Sequence, residues 1–203
     1  MSTETIGMVS GLLVMMSIIP YSIRIYQSKI HPNLTGWSLW TLIGLALLLT
    51  YESSGAKANI WPAVFGFTNP LLITILVAKQ KGGWSKPDKW EWLCILLCVV
   101  SLVSWLTVRN VKELAQFALY LAIIADGCAA IPTFRLVWMQ PDSDRPFAWA
   151  FFAVGYGLAI LAITNHTFAN YALPLWMFFT GLGIAFPLAI HRWKQRVPLA
   201  EWI

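Results

Sequence analysis

The sequence is short of charge. Lys, Arg, Asp and Glu make up 11% of its 203 residues, against about 25% in a soluble domain. Nine acidic residues and three histidines leave little material for acid–base or metal chemistry. The cysteines are Cys94, Cys98 and Cys128. Cys94 and Cys98 share a helix face at i, i+4, but two thiols are too few for a metal site. All three read as small apolar packing residues. No glycine loop of the phosphate-cradling kind is present, no metal-ligand spacing, and no nucleophile, base and orienting acid that could converge. The reading is therefore not an enzyme, with no cofactor and no metal. Met1 to Gly7 contains Glu4 and no Lys or Arg. Without a basic n-region a cleavable signal peptide is not evident, and the first helix is expected to stay.

What is there is apolar. Hydrophobic residues reach 58% and the mean hydropathy is +0.65. A hydrocarbon core about 30 Å thick needs about 20 mainly apolar residues per helix. Seven such runs fit, at roughly 6–27, 36–54, 58–79, 91–108, 113–138, 147–164 and 168–190. Only short loops are left over. A bilayer offers no water to backbone groups, so these runs are expected to be helices. Barrel strands would alternate in polarity and be about half as long.

The net charge of +5 follows membrane topology rather than nucleic-acid binding. With seven spans and the N-terminus outside, eleven basic residues fall inside: Arg24, Lys29, Lys79, Lys81, Lys86, Lys89, Arg135, Arg145, Arg192, Lys194 and Arg196. Three fall outside, namely Lys57, Arg109 and Lys112. That bias obeys the positive-inside rule and puts the C-terminus in the cytosol.

Three landmarks recur in one register. Pro20 and Pro132, Trp37 and Trp149, and Pro62 and Pro174 are each 112 positions apart. The register reads as an internal duplication of about three helices, with one helix between the copies. The chain divides into a first three-helix repeat, 1–83, a linker helix, 84–111, and a second repeat with a basic tail, 112–203. Three is an odd number of crossings, so the linker restores direction and the repeats run parallel. The fold class is an all-α membrane protein of seven helices in a 3+1+3 plan.

Candidate functional residues are the polar ones inside apolar runs. Asp126 falls near the middle of the fifth helix, and a carboxylate there costs about 2.5–3.5 kcal/mol even on lenient insertion scales. It is a candidate proton carrier or a site for a cationic solute group. Asn69, beside Pro70, either caps a broken backbone or touches a solute. Two prolines in the third helix, Pro62 and Pro70, suggest backbone broken near mid-membrane. Trp61 and Trp176 are a candidate pair around a flat solute face. Tyr51, Tyr156 and Thr180 complete the candidate substrate site, with Tyr120 as a further option. Glu52 reads as interfacial, near Lys57. Arg24 and Arg135 read as surface anchors, and His31, His166 and His191 as solvated residues forming no ligand cluster.

Pro132-Thr133-Phe134 after a membrane helix, then Arg135 and a polar loop, together with a helix closing near Leu49-Thr50-Tyr51, resemble the sugar-efflux (SWEET) and PQ-loop transporter superfamily. The resemblance covers nearly the whole chain. It implies the three-plus-one-plus-three plan with the N-terminus outside. The dipeptide that names the PQ-loop group reads Pro20-Tyr21 and Pro132-Thr133 here. Where sugar transporters of that family show Pro-Asn, this chain has Pro62-Ala63 and Pro174-Leu175.

The resemblance implies a small-solute transporter, a uniporter or proton-coupled. Two three-helix bundles would rock about a central cavity, hinged at Pro20 and Pro132, with Asp126 on one wall and in the proton-coupling role. Expected partners are a small-molecule substrate (an amino acid, amine, vitamin-like molecule or sugar) and the lipid bilayer, with a homo-oligomer as an open option. Short loops suit a bacterial inner membrane, an organelle membrane being the other option. The rival reading is a receptor or assembly protein on the same fold. A relative of these transporters is a sorting receptor, and fold alone does not prove transport.

Overall fold

The computed structural model describes residues 1–28, 30, 32–80 and 85–202. Among these the ordered elements are helical. They are α1 Thr3–Ser17, α2 Ile19–Tyr26, α3 Leu34–Ser53, α4 Trp61–Lys79, α5 Lys89–Val108, α6 Lys112–Met139, α7 Pro146–Leu161 and α8 Phe168–Lys194. One-turn 3₁₀ helices precede α4 at Ala58–Ile60 and follow α8 at Leu199–Glu201. With α1 and α2 counted as one broken rod, six rods are long and apolar enough to cross a membrane. The expected run 147–164 is shorter than read: α7 has 16 residues and ends at Leu161, because the polar Thr164-Asn165-His166-Thr167 lies in the turn into α8.

Helix starts follow local chemistry. The Asn33 side chain accepts from Thr35 N–H at 3.0 Å ahead of α3. Asp88 and Glu91 form a reciprocal capping box ahead of α5, both bonds 2.8 Å. Each satisfies donors that a helix leaves unpaired in its first turn.

The third expected helix is not broken. Pro62 sits in the first turn of α4 and Pro70 inside it, and the helix runs on to Lys79. A first-turn proline gives up a donor that had no partner anyway. The break falls instead in the first rod, at Ile18 between α1 and α2, with Pro20 at the start of α2. Pro132, its counterpart, lies inside an unbroken α6. The two expected hinges are therefore unlike each other.

The rods pack closely through small residues. α1 lies along α7 and α4, α3 along α4, α5 and α6, α7 along α8, and α6 along α5 and α8. A methyl group on Gly155 would stand 2.8 Å from the Ser10 carbonyl, and one on Gly44 would stand 2.8 Å from the Gly66 carbonyl. Those approaches exist only because a side chain is missing. Beyond the break, α2 packs on α4.

Three cores result. The largest draws on both halves of the chain, including Val14, Ile43, Tyr51, Leu119, Tyr156 and Leu173. Cys94 and Cys98 are buried in it. A second core is built from Ile25, Ile73 and Val77 with Tyr21 and Trp37 around them. A third is built from Val137, Ile184 and Leu188 with Phe134 and Trp149. The second and third share no residue, and each belongs to one half of the sequence.

Candidate functional site

Prolines in helices leave main-chain carbonyls without a donor, because the residue four positions on has no N–H. Where those carbonyls lie in this chain explains much of its interior polarity. Pro174 frees the carbonyl of Asn170, and the Tyr51 hydroxyl of α3 donates to it at 2.9 Å. Pro187 frees the carbonyl of Gly183, and the Trp138 indole of α6 donates to it at 3.1 Å. Pro70 frees the carbonyl of Gly66, which faces Gly44 of α3. Helix-breaking residues persist in apolar surroundings when neighbouring helices supply such partners.

Asp126 is held in the same interior. Small residues line its part of α6, and Ala122, Ala125 and Ala130 are buried with it. This lets α8 come close enough for the Trp176 ring to lie over Gly127. The Trp176 indole then donates to Asp126 Oδ2 at 2.6 Å. Asp126 is 2% exposed, and among the described residues it has no ion-pair partner. A buried carboxylate with one neutral donor and no cation holds unused capacity for a proton or a cationic group.

Two tyrosines and two asparagines tie the helices together at the end of the bundle holding the 54–57 and 162–167 connections. Tyr51, besides donating to Asn170, accepts from the Asn59 side chain. Asn59 in turn accepts from Lys57 N–H at 2.9 Å. The Tyr156 hydroxyl of α7 donates to the Pro62 carbonyl of α4 at 3.1 Å, in a notch that a methyl on Gly66 would fill.

Of the residues singled out in the sequence, Tyr51, Tyr156 and Trp176 meet in or against the shared core, and Asp126 joins them through Trp176. Asn69 reaches the same core through Val14, whose carbonyl it bonds at 2.8 Å. Thr180 is buried one turn beyond Trp176, its hydroxyl without a partner among the described residues. Trp61 is not part of this group. It is 39% exposed and packs over Gly11 of α1, so it does not face Trp176 across a solute.

Two grooves lie on the surface. One, about 440 Å³, runs along α6 past Cys128, Pro132 and Arg135 toward Trp90. The other, about 550 Å³, is bordered by α7, α8 and Trp202. Asp126 lines neither of these two.

Sequence reasoning missed Asn59, Asn170 and Arg192, all buried. Asn170 carried a readable signal, standing four residues before a helical proline. Arg192 reads as part of the basic tail, yet its guanidinium donates to the carbonyls of Asp144 at 2.6 Å and Pro141 at 3.1 Å. His191, expected to be solvated, meets Asp142 at 3.1 Å. His166 pairs with Tyr171, and His31 lies outside the described residues.

Compared with known proteins, the chain matches no family model, no curated protein and no solved structure.

Proposed function

We propose that this chain is an integral membrane transporter of a small solute, working by alternating access between two three-helix units. The units are 1–83 and 112–203, joined by the helix within 84–111. The N-terminus is outside and the C-terminus is in the cytosol, by the bias of basic residues. A bacterial inner membrane is the proposed setting.

The carrying observation is how packing divides along the bundle. Toward one end, residues of both units share a single core. Toward the other, each unit keeps a core of its own. Asp126 lies on α6 within the shared core, flanked by Ala125 and Cys128, and α6 reaches the separate core further on, at Phe134 and Val137. Two bodies joined at one end and separately packed at the other can rock, and a carboxylate without an ion-pair partner inside the joined part is a place for a solute or a proton. The helix pairings support a repeat as well. α3 on α4 matches α7 on α8, α1 on α4 matches α6 on α8, and α1 on α7 matches α3 on α6.

The substrate class is an amino acid, amine, vitamin-like molecule or sugar. Thermal stabilisation of the purified protein by candidate solutes tests for binding, since a ligand of the folded state raises its melting temperature. Uptake into liposomes then tests transport. Asp126→Asn is expected to abolish coupled uptake while keeping the fold, and unchanged uptake removes Asp126 from the mechanism. The burial of Asp126 favours a second reading, a receptor or assembly protein on the same fold. A well-folded protein stabilised by no solute is the result expected from that reading.

A further inference from the structure

We infer that Tyr51 and Tyr156 form a latch that holds the two units together at the end carrying the 54–57 and 162–167 connections, so that the structure is the arrangement closed there and unfastened at the basic end. This rests on the two-unit reading above and adds which state is seen and which bonds must break to leave it.

The fastenings sort by end. The Tyr51 hydroxyl runs from α3 in the first unit to the Asn170 carbonyl in the second, 2.9 Å. The Tyr156 hydroxyl runs the opposite way, from α7 to the Pro62 carbonyl of α4, 3.1 Å. Both phenols are buried. A second donor, Asn59, holds the Tyr51 oxygen from its own unit. At the basic end none of the bonds described joins one unit to the other. Gln80 donates to the Ile25 carbonyl within the first unit at 2.7 Å, and Thr35 donates to the Ser85 carbonyl of the connecting segment at 2.6 Å. In the second unit Arg192 holds the Asp144 and Pro141 carbonyls, and Trp149 donates to Asp144 at 2.8 Å.

Packing sorts the same way. α1 lies along α7 of the other unit, whereas α2, past the break at Ile18, packs on α4 of its own unit. The shared core and the two private cores follow that division. A hydrogen bond from a side chain to a main-chain carbonyl is specific and severable, unlike a continuous apolar seam. The Asn170 acceptor is also always free, because Pro174 has no N–H to compete for it. Two such bonds at one end, with none described across the other, make a latch.

Distances between spin labels test this without any substrate. Cys94, Cys98 and Cys128 are first replaced by alanine. One label pair, Lys57→Cys with Thr164→Cys, reports the Tyr51 end. A second pair, Tyr26→Cys with Trp193→Cys, reports the basic end. In the combined Tyr51→Phe, Tyr156→Phe variant the first distance should lengthen and the second shorten. Tyr156→Phe alone, which keeps the Tyr51 bond, should move both distances less, and it serves if the combined variant does not fold. Unchanged distances in a folded variant overturn the latch. A variant that opens but moves no solute in liposomes retains the latch and removes the transport reading. A transporting protein whose distances ignore both substitutions does the reverse.

Discussion

The side-chain amide of Asn69 donates to the main-chain carbonyl of Val14 at 2.8 Å, at the point where the first rod breaks. Ser17 donates to the same carbonyl from within α1, at 2.6 Å. Ile18 has turned its N–H to Met15, so Val14 loses its normal helical donor and gains two side chains. The stretch 112 residues on, in the proposed second repeat, lacks this arrangement. The positions 112 residues on from Val14 and Asn69 are Asp126 and Gly181, and there α6 runs through Pro132 unbroken.

Asn69→Ala should lower stability by about 1–3 kcal/mol, the cost of leaving a buried polar group poorly satisfied. Unfolding of the purified protein in detergent measures it. An Asn69 that serves as a solute contact instead would lose transport with no loss of stability.

Trp176→Phe removes the donor to Asp126 and should cost about 1–3 kcal/mol. Trp61→Phe, at an exposed position, should stay within about 0.5 kcal/mol of the parent. Asp126→Asn should cost less than Trp176→Phe, because the amide oxygen still accepts from the indole. Melting midpoints of the three variants side by side check the order, and equal losses at Trp61 and Trp176 would contradict it.

Gly44→Ala and Gly36→Ala should have opposite signs. The first forces a methyl against the Gly66 carbonyl and should destabilise by about 1–3 kcal/mol. The second meets nothing within 4 Å in the first turn of α3, and should stabilise by about 0.4–1 kcal/mol through reduced chain entropy in the unfolded state. Thermal unfolding of the pair is the measurement.

Arg192→Lys keeps the charge but loses the fork that grips two carbonyls of the 140–145 loop. Hydrogen exchange in that loop should quicken about tenfold or more, with no change at Asp88 and Glu91, whose capping box lies on another connection. A lysine variant with parent exchange rates would mean that the loop is held by Trp149 and Asp144 alone.

The register of the prolines was legible early, but what they accomplish was not. Pro62 and Pro70 read as breaks and Pro132 as a hinge, yet the helices run on through all three. Their consequence depends on what lies beside the freed carbonyl, which is a residue on another helix: Gly44 beside Gly66, Tyr51 beside Asn170, Trp138 beside Gly183. Asp126 was legible because an acid in an apolar run stands out by its cost. Its partner Trp176 was not paired with it, because an indole is at home in both a bilayer interface and an interior. Trp61, chosen by the same reasoning, faces outward.

Sequence alone determined that the chain is apolar and helical, where its rods begin and end to within a few residues, and that its basic residues gather in alternate connections. Composition and run length decide these, because backbone groups without water must bond within their own segment. Which side of each rod faces inward was decided only by the tertiary structure. In a soluble helix the polar face points outward and reveals the core. Here lipid and core are both apolar, so that contrast is lost. Tyr51 finds Asn170, and Asp126 finds Trp176, through the close approach of small-residue faces that no single run discloses.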